Sequence, residues 1–195
     1  ATCAPGTSWI PDNVATIAAN FTVDERVTPF PNSTTNAKMR HQYLFLKNEL
    51  DVELNQLNGN TTITHGICAG QPITTLAFEK AAGGAVKNWQ YQVSIFHVPF
   101  GVNSLIQFEP NADPSFACFS TPAAVPWPTA VGAGLQVVTL SSPFIWDGVR
   151  NIVIEICGTA NFGAGSAVPV KFTTVSANLT FSKNAGLAVS PCGNP

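Results

Sequence analysis

Residues 139–157, Thr139-Leu140-Ser141-Ser142-Pro143-Phe144-Ile145-Trp146-Asp147-Gly148-Val149-Arg150-Asn151-Ile152-Val153-Ile154-Glu155-Ile156-Cys157, set two β-rich runs on either side of a single Asp-Gly pair. Asp-Gly tolerates the positive φ that a tight connection needs, so the stretch predicts a hairpin. The second run places Ile152, Ile154 and Ile156 on one face and Val153, Glu155 and Cys157 on the other, the period of a strand in a sheet. In this setting Asp147 reads as a turn former beside Gly148 rather than as a catalytic acid. The stretch argues for an all-β scaffold.

Outward from it, residues 41–46, 73–78, 89–98, 105–108, 135–140, 168–175 and 178–181 have strand character, with Gly, Pro and Asn between them. Trp89, Tyr91, Val93 and Ile95 alternate with Gln90, Gln92, Ser94 and Phe96, which predicts one buried face and one mostly polar face. Many short strands separated by turn residues indicate a β-sandwich or jelly roll. One short helix is expected near 47–57, where Leu50, Leu54 and Leu57 recur at helical spacing before Asn58-Gly59-Asn60 closes it. Residues 1–37, interrupted by Pro5, Pro11, Pro29 and Pro31, read as an extended N-terminal arm, and 38–195 as a single β-sandwich domain. Residues 110–134 contain five prolines and form the longest irregular connection, a place to expect an interface.

Composition narrows the function classes. Only 10% of the 195 residues are charged and the formal net charge is −2, whereas about 25% is usual for a soluble domain. So few charges favour association between copies. Nine Lys and Arg with no basic run give no nucleic-acid footprint, and no apolar stretch is long enough for a membrane span. The first residue, Ala1, is consistent with removal of an export signal ending in a small residue, and trimming for other reasons accounts for it equally. Cys3, Cys68, Cys118, Cys157 and Cys192 include no Cys-x-x-Cys pair, so disulfides in an extracytoplasmic setting are expected. The odd count leaves one thiol free or bonded to another chain. Cys3 and Cys192, near the termini, suit either an intermolecular bond or a clasp between the two ends.

Candidate sites are sparse. His41, His65 and His97 are more than twenty residues apart without a second ligand at metal spacing, and read as surface or strand-packed histidines. No catalytic motif is evident, and carboxylates such as Glu79 and Glu109 form no convincing pair, so neither an enzyme nor a cofactor is expected. Trp89 and Trp146 read as core, whereas Trp9 and Trp127, the latter between Pro126 and Pro128, are candidates for contact with a glycan or a neighbouring subunit. Asn20, Asn32, Asn60 and Asn178 each open an Asn-x-Thr triplet, which Asn and Thr abundance alone generates.

The turn block Pro143, Phe144, Trp146, Asp147, Gly148 and Asn151, followed by the Val/Ile strand ending in Glu155-Ile156-Cys157, resembles a module of large secreted and surface proteins of the Bacteroidota. His41-Gln42-Tyr43-Leu44-Phe45 with Glu49-Leu50, and Pro72-Ile73-Thr74-Thr75-Leu76-Ala77-Phe78, resemble its earlier strands, so the likeness covers residues 28–157. The chain departs from it in its first 27 residues, in 59–70, and in lacking an evident sorting segment after Phe181. The resemblance implies a β-sandwich of exported adhesins and appendage proteins, often delivered by the type IX route, without enzyme activity. The expected function is a self-associating structural or adhesive subunit of an extracellular or cell-surface filament. The alternative is a carbohydrate-binding module that meets a cell-surface glycan.

Overall fold

The computed structural model describes residues 37–47, 50, 69–80, 87–113, 116–121, 125–127, 134–160 and 180–185. The fold in these residues is all-β. Eight strands run in the order β1 (Ala37–Phe45), β2 (Pro72–Lys80), β3 (Lys87–His97), β4 (Ala117–Ser120), β5 (Val125–Trp127), β6 (Gly134–Ile145), β7 (Ile152–Ala160) and β8 (Thr180–Ala185). They form two antiparallel sheets: a larger one ordered β4-β3-β7-β1-β8 with β5 also paired to β3, and a two-stranded sheet of β2 and β6.

Strand β7 lies at the middle of the larger sheet, and its alternation is the one read from the sequence. Ile152, Ile154 and Ile156 face an apolar cluster that also takes Tyr91, Val93 and Ile95 from β3, Leu76 from β2, and Val138, Leu140 and Phe144 from β6. This core draws on both sheets. Val153, on the opposite face of β7, joins Leu44, Phe96, Val98 and Leu105 in a second cluster. The opposite face of β3 carries the expected Gln90, Gln92 and Ser94, but its C-terminal end is buried rather than open to solvent. Phe96 is fully buried, and Ser94 is nearly so.

The predicted hairpin is overturned. Strands β6 and β7 do not pair: β6 belongs to the small sheet beside β2, and β7 to the large sheet between β1 and β3. Residues 146–151 form an arch that carries the chain from one sheet to the other. A locally favoured Asp-Gly turn fixes chain reversal, but strand pairing is decided by which apolar faces can be covered together.

Three further expectations are corrected or bounded. Residues 105–108 are not a strand, because Leu105 alone is buried (2% exposed) while Ile106 is 78% exposed, so no alternation forms against the sheet. The connection 110–134 is not irregular throughout, since β4 and β5 both pair with β3. Helical geometry is present at Lys47 and Leu50, with the Leu50 amide donating to the Leu46 carbonyl at 3.1 Å. The rest of the expected helix, the arm at 1–36 and the run at 168–175 lie outside the described residues, and Ala37 already belongs to β1. Pro143 sits in β6 where its register with β2 jumps between Ile73 and Thr75, a place where a residue without an amide hydrogen does no harm.

Candidate functional site

The arch gathers Trp146, Asp147, Gly148 and Asn151 of the turn block, while Pro143 and Phe144 lie just before it in β6. Phe144 and Trp146 plug the core at 0% and 1% exposure, and the Trp146 indole Nε1 donates to the Arg150 carbonyl at 2.8 Å, so the buried ring also closes the turn. Asp147 Oδ1 accepts the amides of Val149 and Arg150, both at 2.9 Å, and its Oδ2 accepts from Arg150 Nε at 2.5 Å. Burial disfavours the Asp147 carboxylate, but the hydrogen bonds from Arg150 and Val149 outweigh it and pull the group down to about 2. Gly148 has φ +76°, and a Cβ there would lie 2.4 Å from that of Ala69. Only glycine meets both conditions without strain.

Asn151 ends the arch and fastens three segments. Its Oδ1 accepts the Lys47 amide at 2.6 Å, while its Nδ2 donates to the Val102 carbonyl at 2.7 Å and to Asn103 Oδ1 at 3.1 Å. The Val98 amide donates to the Asn151 carbonyl at 3.0 Å. The start of the 47–50 turn and the 98–103 loop are thereby tied to one side chain.

Beneath the arch sits His97. Its backbone amide and its Nδ1 both reach Asp113 Oδ2, at 2.9 Å and 2.6 Å, and both side chains are 2% exposed. The Asp147 amide donates to His97 Nε2 at 3.2 Å, so that nitrogen carries no hydrogen and Nδ1 is the donor to Asp113. The ring also packs on Phe144 with centroids 4.6 Å apart. An Asp-His pair is the arrangement that orients a general base. Here the far nitrogen is taken by backbone and the ring is shut away from solvent, so the pair fastens the arch to the 98–113 loop.

A second polar knot lies on the other face of the large sheet. Gln42 and Glu155 are opposite one another in register. Glu155 Oε2 accepts from Arg40 Nε at 2.8 Å and from Gln42 Nε2 at 2.6 Å. Gln42 also donates to the Glu109 carbonyl at 2.7 Å and accepts the Glu109 amide at 2.8 Å. The Arg40 guanidinium lies 4.5 Å over the Phe108 ring. Glu109 contributes its backbone to this knot. His41, on the core face of β1, is 2% exposed, its Nε2 has no partner, and burial pushes it down to about 4.

The remaining candidate residues separate. Cys157 is buried and disulfide-bonded, whereas Cys118 is a free, half-buried thiol whose neighbour is Ser141. Cys3, Cys68, Cys192, Trp9 and His65 lie outside the described residues, as do Asn20, Asn32, Asn60 and Asn178. Trp127 is not in an irregular loop: it ends β5, opposite Lys87 of β3. Among the described residues no three His, Cys, Asp or Glu side chains come together as a metal site, and no helix is long and apolar enough to cross a membrane.

One open groove of about 410 Å³ lies beside the arch, between Lys47, the 99–103 loop and Val149–Asn151. Sequence reading missed it, because its lining comes from three segments that lie far apart along the chain. The one signal available was Phe100-Gly101, an aromatic in a turn. No family model matches the chain, and neither a characterised protein nor a solved structure is significantly similar to it.

Proposed function

We propose that the chain is a non-enzymatic β-sandwich subunit of an extracellular or cell-surface assembly, structural or adhesive in role, that associates with copies of itself. The observation that carries this reading is the outer face of the β2–β6 sheet. Thr75, Ala77, Val137, Thr139 and Ser141 are exposed there, Thr75 opposite Thr139 and Ala77 opposite Val137, without a charge among them. A β surface this poor in charge is what an associating face needs, and natural monomers usually break such faces with more charge. The low overall charge supports the same reading. So does the use of the buried Asp-His and Arg-Glu groups as fasteners.

Light scattering and negative-stain imaging of the native protein test it. The expected result is a concentration-dependent oligomer or filament that Val137→Lys reduces towards monomer. A monodisperse monomer at every concentration would sink the reading. The carbohydrate-binding alternative is favoured by a different feature, the exposed aromatic at the groove beside the arch.

A further inference from the structure

Asp147-Gly148 places in the arch a peptide link open to rearrangement. Glycine has no Cβ, so nothing on its own residue shields the Gly148 amide nitrogen from the neighbouring Asp147 carboxyl carbon. When that nitrogen attacks Cγ of the neutral acid, the carboxyl hydroxyl and the amide hydrogen leave together as water, and a cyclic succinimide forms. Water then opens the ring. Breaking the Cγ–N bond restores aspartate, whereas breaking the bond from the Asp147 carbonyl carbon to the same nitrogen leaves isoaspartate, whose main chain runs through Cβ and Cγ. No oxidant or further reactant is needed.

The folded arch opposes this chemistry at both ends of the reaction. Ring closure needs a neutral acid whose hydroxyl departs, but the Val149 and Arg150 amides on Oδ1 and the Arg150 Nε on Oδ2 all favour the carboxylate. Closure also removes one of the two oxygens, so these three bonds cannot all survive it. The product then has no room. Isoaspartate adds a carbon to the main chain where the Asp147 amide is held on His97 Nε2 at 3.2 Å and the Trp146 carbonyl accepts the Gly70 amide at 2.9 Å. Beside it, Ala69 leaves no space even for a Cβ on Gly148.

We propose that Asp147-Gly148 is a site of isoaspartate formation that the folded arch keeps closed, with Arg150 as the positioning residue that holds the carboxylate out of reaction. A chain that is unfolded, or folded without that guanidinium, rearranges here. Because the change is covalent, refolding does not reverse it, and the altered chain loses the link between its two sheets. The protection belongs to the single chain and does not depend on self-association.

Prolonged warm incubation at neutral pH, followed by peptide mapping with electron-transfer fragmentation to tell isoaspartate from aspartate at residue 147, tests the assignment. The native chain is compared with itself in guanidinium chloride and with Arg150→Gln and Arg150→Lys, whose folding is checked by circular dichroism. The expected result is little isoaspartate in the folded native chain and a rate at least about tenfold higher in denaturant. Arg150→Gln should raise the rate about tenfold while folded, the equivalent of one charge-assisted hydrogen bond, and Arg150→Lys, which restores a cation beside the carboxylate, should recover much of the protection. Equal rates in the folded and denatured native chain, or no isoaspartate at residue 147 in denaturant, would overturn the proposal without any variant. An Arg150→Gln rate equal to native, or equal acceleration in Arg150→Gln and Arg150→Lys, would overturn the role of Arg150.

Discussion

The two faces of the large sheet are buried by different means. The face towards β2 and β6 is covered mainly by aliphatic and aromatic side chains, with His41 and Gln136 among the polar exceptions, while the other face combines the Leu44, Phe96, Val98, Leu105 and Val153 cluster with the Arg40, Gln42 and Glu155 knot. Apolar burial is non-directional and supplies most of the driving force. Hydrogen-bonded charge is directional, so the second face selects one placement for the loop at Phe108–Glu109, which an aliphatic face would leave free to slide.

That contrast can be broken from either side. Phe144→Ala should cost about 4 kcal/mol, because it leaves a cavity among residues from both sheets and removes the packing under His97, and chemical denaturation would measure it. Glu155→Ala strands Arg40 and Gln42 and should cost roughly 3 kcal/mol, discounted for the partial exposure of Arg40. If the knot positions the loop, hydrogen exchange in residues 105–109 should rise in that variant far more than in Phe144→Ala at matched stability. Equal loosening would mean that the polar face holds the loop no more specifically than the apolar one.

Acid sharpens the comparison, because His41, buried with its Nε2 unbonded, sits on the apolar face. His41 takes a proton near 6.5 when unfolded and only near 4 when folded. Between these values the unfolded chain binds more protons, so stability is lost as pH falls through that window, by at most about 3 kcal/mol. Thermal melts of His41→Leu should show a flatter profile there, whereas the Asp147 contribution is lost only below about 3.8, as pH falls towards 2. The smallest effect is expected at the arch: Gly148→Ala should cost about 2 kcal/mol through its positive φ and the approach of Ala69.

The parts legible in the sequence were those governed by neighbours along the chain. The two-residue period of Ile152 to Cys157 forecast its two faces, and Trp146, Asp147 and Gly148 announced a turn because their bonds close within a few residues. Where the turn leads was not legible. Asp147-Gly148 reverses the chain whether the next strand pairs with β6 or joins the other sheet, and the choice rests on β1 and β3. Strands β4 and β5 were hidden because prolines dominate their surroundings, and an edge position beside β3 tolerates them. Asp113 gave no signal of its own, since its role exists only through a histidine on another segment.

The arch between sheets also has a kinetic consequence. β1 is paired on both sides, and its partners β7 and β8 both come far later in the chain. Arg40 and Glu155, which pair across β1 and β7, are 115 positions apart. During synthesis β1 must wait until residues 152–185 have emerged, and no hairpin at Asp147-Gly148 gives β7 an early partner. Loop-closure entropy is then met before the central pairing forms, which places this protein among slow, high-contact-order folders and keeps the nascent chain open until β7 and β8 arrive.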